Sequence, residues 1–130
     1  GEFINYTQII PQEYKTRIKA DAKVLYSAIE RASLLAREGR NNLIKLNIKE
    51  DKLVINSNSE LGTAHEEVPV EMEGKEMLIA FNARYFMDIL KGIGNEEVYI
   101  DFTTNVSPCV FRPLEGDNFT YLLLPVRISV

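Results

Sequence analysis

The sequence predicts an α+β fold in which two amphipathic helices pack on one face of antiparallel sheets. Two segments carry apolar residues at three- and four-residue spacing, and the segments between them alternate apolar and polar residues as strands do. A strand, a helix and several strands are followed by a second helix and further strands, which is an internal repeat of the β-α-β-β-β kind. At 130 residues, the chain is long enough to form one domain with its own core.

The two helices are predicted from their caps and apolar stripes. Asp21 is expected to cap the first helix, which ends near Gly39. Asn82 is expected to cap the second helix, which runs to about Ile93. The apolar stripes are Leu25, Ala28, Ile29, Ala32 and Leu35 in the first helix and Tyr85, Phe86, Ile89 and Leu90 in the second.

Strands are predicted at residues 14–20, 43–49, 52–58, 63–73, 77–81, 97–103, 107–112 and 118–126. The two residues Glu50 and Asp51 indicate a hairpin between the second and third strands. Pro69 interrupts the fourth strand, which we expect to be an edge strand or bulged because proline cannot donate a ladder hydrogen bond. Residues 113–117 are expected to form the turn before the last strand.

Charge is unevenly distributed along a chain whose net charge is −4. Residues 15–45 contain eight basic and three acidic residues, whereas residues 46–81 contain three basic and eight acidic residues. This asymmetry suggests one face for an anionic partner and another for a cationic one, although two solvated faces would give the same pattern.

The residue inventory argues against catalysis and against a cofactor or metal. His65 is the only histidine, and no cysteine or histidine cluster has metal-ligand spacing. Glu66 and Glu67 are adjacent in a predicted strand, so their side chains point to opposite faces and cannot share a site. A hydrolase that uses His65 and Glu66 is therefore disfavoured.

Apolar runs are too short to span a membrane, so no membrane partner is expected. The sequence opens without an export signal, and its lone cysteine, Cys109, indicates a small buried side chain in a cytoplasmic protein.

The C-terminal run YLLLPVR, residues 121–127, is the best candidate for a binding site. Alternation along a last strand exposes at least one of its three leucines, and exposed apolar groups usually need a partner. A strand buried on both faces would explain the same run.

Four segments occur in an order and spacing that resemble a known family: FINYTQIIP at 3–11, RASLLAREGRNN at 31–42, FNARY at 81–85 and LPVR at 124–127. The family is the bacterial DNA polymerase III beta subunits, the replicative sliding clamps. The resemblance covers essentially the whole chain and corresponds to their third, C-terminal domain, with residues 1–12 as the preceding linker and 13–130 as the domain.

The resemblance implies a non-catalytic ring, in which two head-to-tail protomers of three similar domains enclose duplex DNA. Helices would line the hole and sheets would face outwards. The implied partners are the DNA polymerase III alpha subunit, the clamp loader and other proteins with clamp-binding motifs. Their peptides would dock between the second and third domains, on a wall that comprises Ile4, Gln8, Ile9, Asn82, Tyr85, Pro108, Leu122, Leu124, Pro125, Val126 and Arg127.

Two further surfaces are expected from the resemblance and the charge pattern together. Basic residues on the helices would face DNA phosphates: Lys23, Arg31, Arg37, Arg84 and Lys91. The interface between protomers would include Leu34, Leu35, Glu66 and Glu67. The alternative to a clamp is an independent nucleic-acid-binding domain that uses the basic face of residues 15–45.

Overall fold

A computed structural model describes residues 14–38, 43–59, 62–116 and 119–127, without the side chains of residues 35–38 and 58–59. In chain order the elements are β1 (Thr16–Asp21), α1 (Ala22–Glu38), β2 (Leu43–Ile48), β3 (Lys52–Ser59), β4 (Gly62–Pro69), β5 (Glu71–Gly74), β6 (Met77–Asn82), α2 (Ala83–Ile93), β7 (Glu97–Phe102), β8 (Cys109–Pro113) and β9 (Tyr121–Leu123). The predicted α+β fold with two helices is confirmed.

The strands form two antiparallel sheets. One has five strands in the order β5-β1-β7-β8-β9, and the other has four in the order β4-β3-β2-β6. The predicted hairpin is confirmed, because Lys45 pairs with Asn56 and the Lys49 N–H donates to the Lys52 carbonyl at 2.9 Å.

Both helices begin at the expected caps. The Asp21 carboxylate accepts hydrogen bonds from the N–H groups of Lys23 and Val24 at 2.9 and 3.1 Å. The Asn82 side chain accepts from the N–H groups of Arg84 and Tyr85 at 2.9 and 3.3 Å. Each cap satisfies N–H groups that have no partner within the helix. The expected stop at Gly39 lies outside the described residues.

Aromatic side chains join the two sheets beneath α2. Phe81 of β6 packs edge-to-face on Phe86 of α2, which packs edge-to-face on Phe111 of β8, with ring centroids 5.4 and 5.2 Å apart. Cys109 is fully buried beside them, as predicted, and burial raises the pKa of its thiol. The apolar stripe predicted for α2 is wrong at one position, because Tyr85 is 59% exposed. The described helices include none that is long and apolar enough to cross a membrane.

The strand predicted at residues 63–73 is two strands. β4 ends at Pro69 on the edge of the four-stranded sheet, and β5 lies on the edge of the five-stranded sheet. Pro69 therefore marks an edge strand, as predicted, and also the point where the chain leaves one sheet for the other.

The last two strands are shorter than predicted. β8 begins at Cys109, after a turn in which Thr104 and Ser107 share a hydrogen bond of 2.7 Å. β9 ends at Leu123, although alternation predicted a strand to residue 126, because the chain leaves β8 there and crosses to β6.

Candidate peptide-docking surface

The C-terminal tail, residues 124–127, connects the edges of the two sheets. β9 precedes it and pairs with β8 in the five-stranded sheet. Beyond Pro125, the Val126 N–H donates to the Ala80 carbonyl at 2.8 Å, which attaches the tail to β6 in the four-stranded sheet. The tail is thereby held at both ends by backbone pairing.

The pairing registers locate Leu124 at this junction. Leu123, the last residue of β9, pairs with Cys109, and Val126 pairs with Ala80. Leu124 therefore lies between the residue that ends the pairing with β8 and the residue that pairs with β6.

Exposure along the tail follows the predicted alternation. Leu123 is 7% exposed and lies in the core, whereas Leu124 is 71% exposed and Val126 is 40% exposed. Leu122 and Pro125 are half-buried, and Arg127 is exposed. The tail therefore presents apolar side chains to solvent and is not a strand buried on both faces.

Tyr85 lies on the flank of α2 that faces β9. It precedes Gly92 by seven residues, about two helical turns, so both lie on the same side of the helix. A Cβ atom at Gly92 would lie 3.4 Å from the Tyr121 hydroxyl, which shows that this side meets β9. Tyr85, Leu124 and Val126 are exposed, and Asn82 and Pro108 are half-buried. We call these five residues, which the resemblance assigned to one site, the docking wall.

Among the predicted DNA-facing residues, the side chains of Lys23, Arg31, Arg84 and Lys91 are exposed on the helices. A groove of about 330 Å³ between the helices is lined by Tyr26, Ser33, Ala83, Arg84, Met87, Asp88 and Lys91. Among the described residues, no ion pair engages the side chains of Arg84, Lys91 or Lys23. The side chain of Arg37 lies outside the described part of the structure.

Arg31 differs from the other cations because it is already paired. Its guanidinium donates from Nε to Glu66 Oε1 at 3.0 Å, and Nη2 lies 2.9 Å from the same oxygen in an ion pair. This pair joins α1 to β4. Glu66 was expected at the protomer interface and Arg31 at the DNA, so the structure connects the two predicted surfaces.

Glu67 lies on the opposite face of β4, as alternation predicts. It accepts from the Lys52 ammonium at 3.1 Å and lies 3.0 Å from His65 Nε2. The hydrogen bond to His65 and, next, that to Lys52 lower the pKa of Glu67. His65 is an exposed strand residue, and no group of three or more potential metal ligands occurs among the described residues.

Known proteins match the chain over nearly its full length. Residues 7–127 match the family described as DNA polymerase III beta subunit, C-terminal domain. This chain belongs to that family. A beta sliding clamp of Staphylococcus aureus is 42% identical over 129 residues, which are 98% of this chain and 34% of that protein. The chain therefore spans about a third of the length of such relatives.

Solved structures of the beta subunit family share the fold. The sliding clamp of Bacillus subtilis has a TM-score of 0.90 and 39% identity, with 99% of this chain and 35% of that chain covered. The beta subunit of Thermotoga maritima also has a TM-score of 0.90, with 32% identity and the same coverage. These findings confirm the resemblance, and they do not favour an independent nucleic-acid-binding domain.

Some residues that the family resemblance assigned to the docking wall lie outside the described residues. They are Ile4, Gln8 and Ile9. Leu35, expected at the protomer interface, has no described side chain, whereas Leu34 is 54% exposed on α1. The roles of these residues stay predictions.

Sequence reasoning missed Leu78, which is 45% exposed on β6. Leu78 belongs to the uninterrupted apolar run 77–81. Because this run contains no polar residue, its sequence does not indicate which face of the strand is exposed to solvent. The only available signal was that every second residue of such a run points away from the core.

Proposed function

We propose that this chain is the third domain of a ring-shaped processivity clamp that encircles duplex DNA and is not itself catalytic. Family membership supports this function, and the observation that carries it is the docking wall. Its exposed residues Leu124 and Val126 lie in a tail that follows β9 of one sheet and is attached by a backbone hydrogen bond to β6 of the other. Processivity would arise because a closed ring cannot leave DNA sideways while its wall holds a polymerase.

The proposed occupants of the docking wall are short peptide motifs of the DNA polymerase III alpha subunit, the clamp loader and other replication and repair proteins. Tyr85 and Leu124 would contact apolar side chains of the peptide, because both are large, apolar and exposed. A second domain would supply the rest of the pocket, so the chain alone is expected to bind such peptides weakly.

Variants of the docking wall test this role directly. In the intact clamp, Tyr85→Ala and Leu124→Ser should each lower the affinity for an alpha-subunit peptide about tenfold. Each substitution removes an apolar contact with the peptide that contributes about 1.4 kcal/mol. Val24→Gln is the matched control, because Val24 is 46% exposed on α1. Fluorescence anisotropy with a labelled peptide provides the measurement. Unchanged affinity in both wall variants would contradict the role.

The two helices would face the enclosed DNA through sequence-independent contacts with phosphates. Arg84, Lys91 and Lys23 support this because their charges are exposed and unpaired among the described residues. Contacts of this kind weaken with added salt and do not read sequence, which suits a ring that must slide. No cofactor or metal is required.

The β4 edge and exposed Leu34 are proposed to meet the first domain of the neighbouring protomer, with the full-length protein forming a homodimer. An edge strand has unpaired backbone groups that another chain can cover. We further propose residues 1–12 as the linker, residues 13–130 as the domain, and a cytoplasmic location, where a lone buried cysteine stays reduced.

Ring formation can be tested by a domain exchange. The C-terminal third of the Bacillus subtilis clamp is replaced by this chain, and the chimera is loaded on circular and on linear duplex DNA. A ring is expected to be retained on the circle and to run off linear ends. The 130-residue chain alone should show little DNA retention in filter binding at low salt, and strong retention would instead favour the independent nucleic-acid-binding domain.

A further inference from the structure

The exposed apolar surface of the docking wall continues onto the four-stranded sheet. Leu78 precedes Ala80 by two residues, so both side chains point to the face of β6 opposite Ile79 and Phe81, and on that face Ala80 is buried whereas Leu78 is exposed. The pairing of Ala80 with Val126 places Val126 on that face too. Diagonal neighbours across such a pair lie about 7–8 Å apart, within reach of one another's side chains.

A cation flanks this apolar extension. On the adjacent strand, Lys45 pairs with Ala80 and Asn47 pairs with Leu78, and paired residues share a face of the sheet. Lys45 is half-buried, and no ion pair to its ammonium occurs among the described residues. The sheet therefore presents an exposed leucine and valine beside an available positive charge.

We propose that Leu78 and Lys45 form a second contact site that selects among the peptides docked on the wall. The site would take an apolar side chain on Leu78 and an acidic side chain on Lys45. Continuity with Val126 and charge complementarity both favour such a peptide. The inference rests on the docking role proposed above.

The geometry sets the length of the segment that must connect the two contacts. An extended chain advances about 3.3 Å per residue, so two or three residues cover the diagonal from Val126 to Leu78. A peptide that ends on the wall would not reach Leu78. Leu78 and Lys45 would thus distinguish peptides by what lies beside their docking motif.

The test is an NMR titration of the 130-residue chain, which detects weak binding residue by residue. The probe is an alpha-subunit clamp-binding peptide in three forms: unextended, or extended at either end by Gly-Leu-Asp. One extended form is expected to bind about fivefold more tightly, because a few tens of Å² of additional apolar surface are buried. It should also shift the methyl signals of Leu78.

Three variants determine where the gain originates. Leu78→Thr, which introduces a β-branched strand former with less apolar surface, should abolish the gain and leave the unextended peptide's affinity unchanged. Lys45→Gln should reduce the gain about twofold. Val24→Gln should preserve it. The amide spectrum of each variant reports whether the fold is retained.

Two failures are distinguishable in this experiment. If neither extension improves binding, or if the gain persists in Leu78→Thr, the second contact site is overturned while the docking wall stands. If the unextended peptide shifts no signal at Tyr85 or Leu124, the docking role fails and the second contact site fails with it.

Discussion

Asp101 shows how single residues organise the outer face of the five-stranded sheet. It is 5% exposed and accepts hydrogen bonds from Arg17 Nε at 2.6 Å, Arg17 Nη2 at 3.0 Å and Arg112 Nε at 3.1 Å. The hydrogen bond to Asp101 raises the pKa of Arg17, whose guanidinium also lies 4.3 Å from the ring centroids of Tyr14 and Tyr99. The carboxylate thus fixes two arginines and, through one of them, two aromatic rings.

Removing this carboxylate should destabilise the fold. Asp101→Ala leaves both guanidinium groups without their shared acceptor, and we expect a loss of about 2 kcal/mol in the free energy of unfolding. Lys19→Gln is the control, since Lys19 pairs with exposed Glu71 and Glu97 at 3.5 and 3.4 Å and should change stability by less than about 0.5 kcal/mol. Urea unfolding followed by circular dichroism measures both. Equal losses of stability in Asp101→Ala and Lys19→Gln would contradict the stabilising role of Asp101.

The pair between Arg31 and Glu66 predicts a charge effect that depends on position. Glu66→Gln should free Arg31 and strengthen weak binding of a short DNA duplex at low salt by about twofold. Glu67→Gln changes the net charge equally but acts on the opposite face of β4, so it should have a smaller effect. NMR titration of the chain with the duplex compares them. Indistinguishable affinities would show that Arg31 does not face DNA.

At the scale of elements, the two N-caps provide a matched pair. Asn82→Ala and Asp21→Ala each remove a side-chain acceptor from two helix N–H groups, and each should cost about 1 kcal/mol of stability. Asn82 both caps the first turn of α2, which carries Tyr85, and belongs to the docking wall. Asn82→Ala should therefore also weaken peptide binding in the intact clamp, whereas Asp21→Ala should not.

Thermal unfolding and peptide anisotropy separate the two consequences. A stability loss in both variants with a loss of affinity in Asn82→Ala alone is the expected result. If Asp21→Ala weakened peptide binding as much, the effect would come from global stability and not from the docking wall.

Local chemistry predicted most element positions but not how elements combine. The caps at Asp21 and Asn82 and the hairpin at residues 50–51 depend on neighbours in sequence, so the pattern was sufficient. The division of residues 63–73 between two sheets depends on which distant strand each half meets. Alternation carries no information about that choice, and the short extent of β9 was missed for the same reason.

The candidate site was predictable only in part. Alternation separated Leu123, in the core, from exposed Leu124, and the resemblance assigned Tyr85 to the wall although its helical spacing suggested the core. The exposure of Leu78 depends on β6 being an edge strand that the tail covers at Ala80. That arrangement is a tertiary property, so alternation could place Leu78 and Ala80 on the outer face but could not show that Leu78 is exposed while Ala80 is buried.

At the scale of the whole molecule, the domain presents distinct surfaces in different directions. The helices carry unpaired cations, the β4 edge is open within the described structure, and the docking wall lies at the junction of the two sheets. Under the proposed function, this domain would meet DNA, a neighbouring protomer and a docked peptide at once, and such separation would allow it. The ion pair between Arg31 and Glu66 joins two of these surfaces.

The central claim, that this chain completes a processivity clamp, is tested most directly by primer extension. The Bacillus subtilis clamp with its C-terminal third replaced by this chain is supplied to the matching polymerase and clamp loader on a primed circular template, and product length is measured. Long products are expected. A chimera that carries both Tyr85→Ala and Leu124→Ser should give shorter products. Short products from a chimera that folds and dimerises, no longer than without any clamp, would contradict the claim.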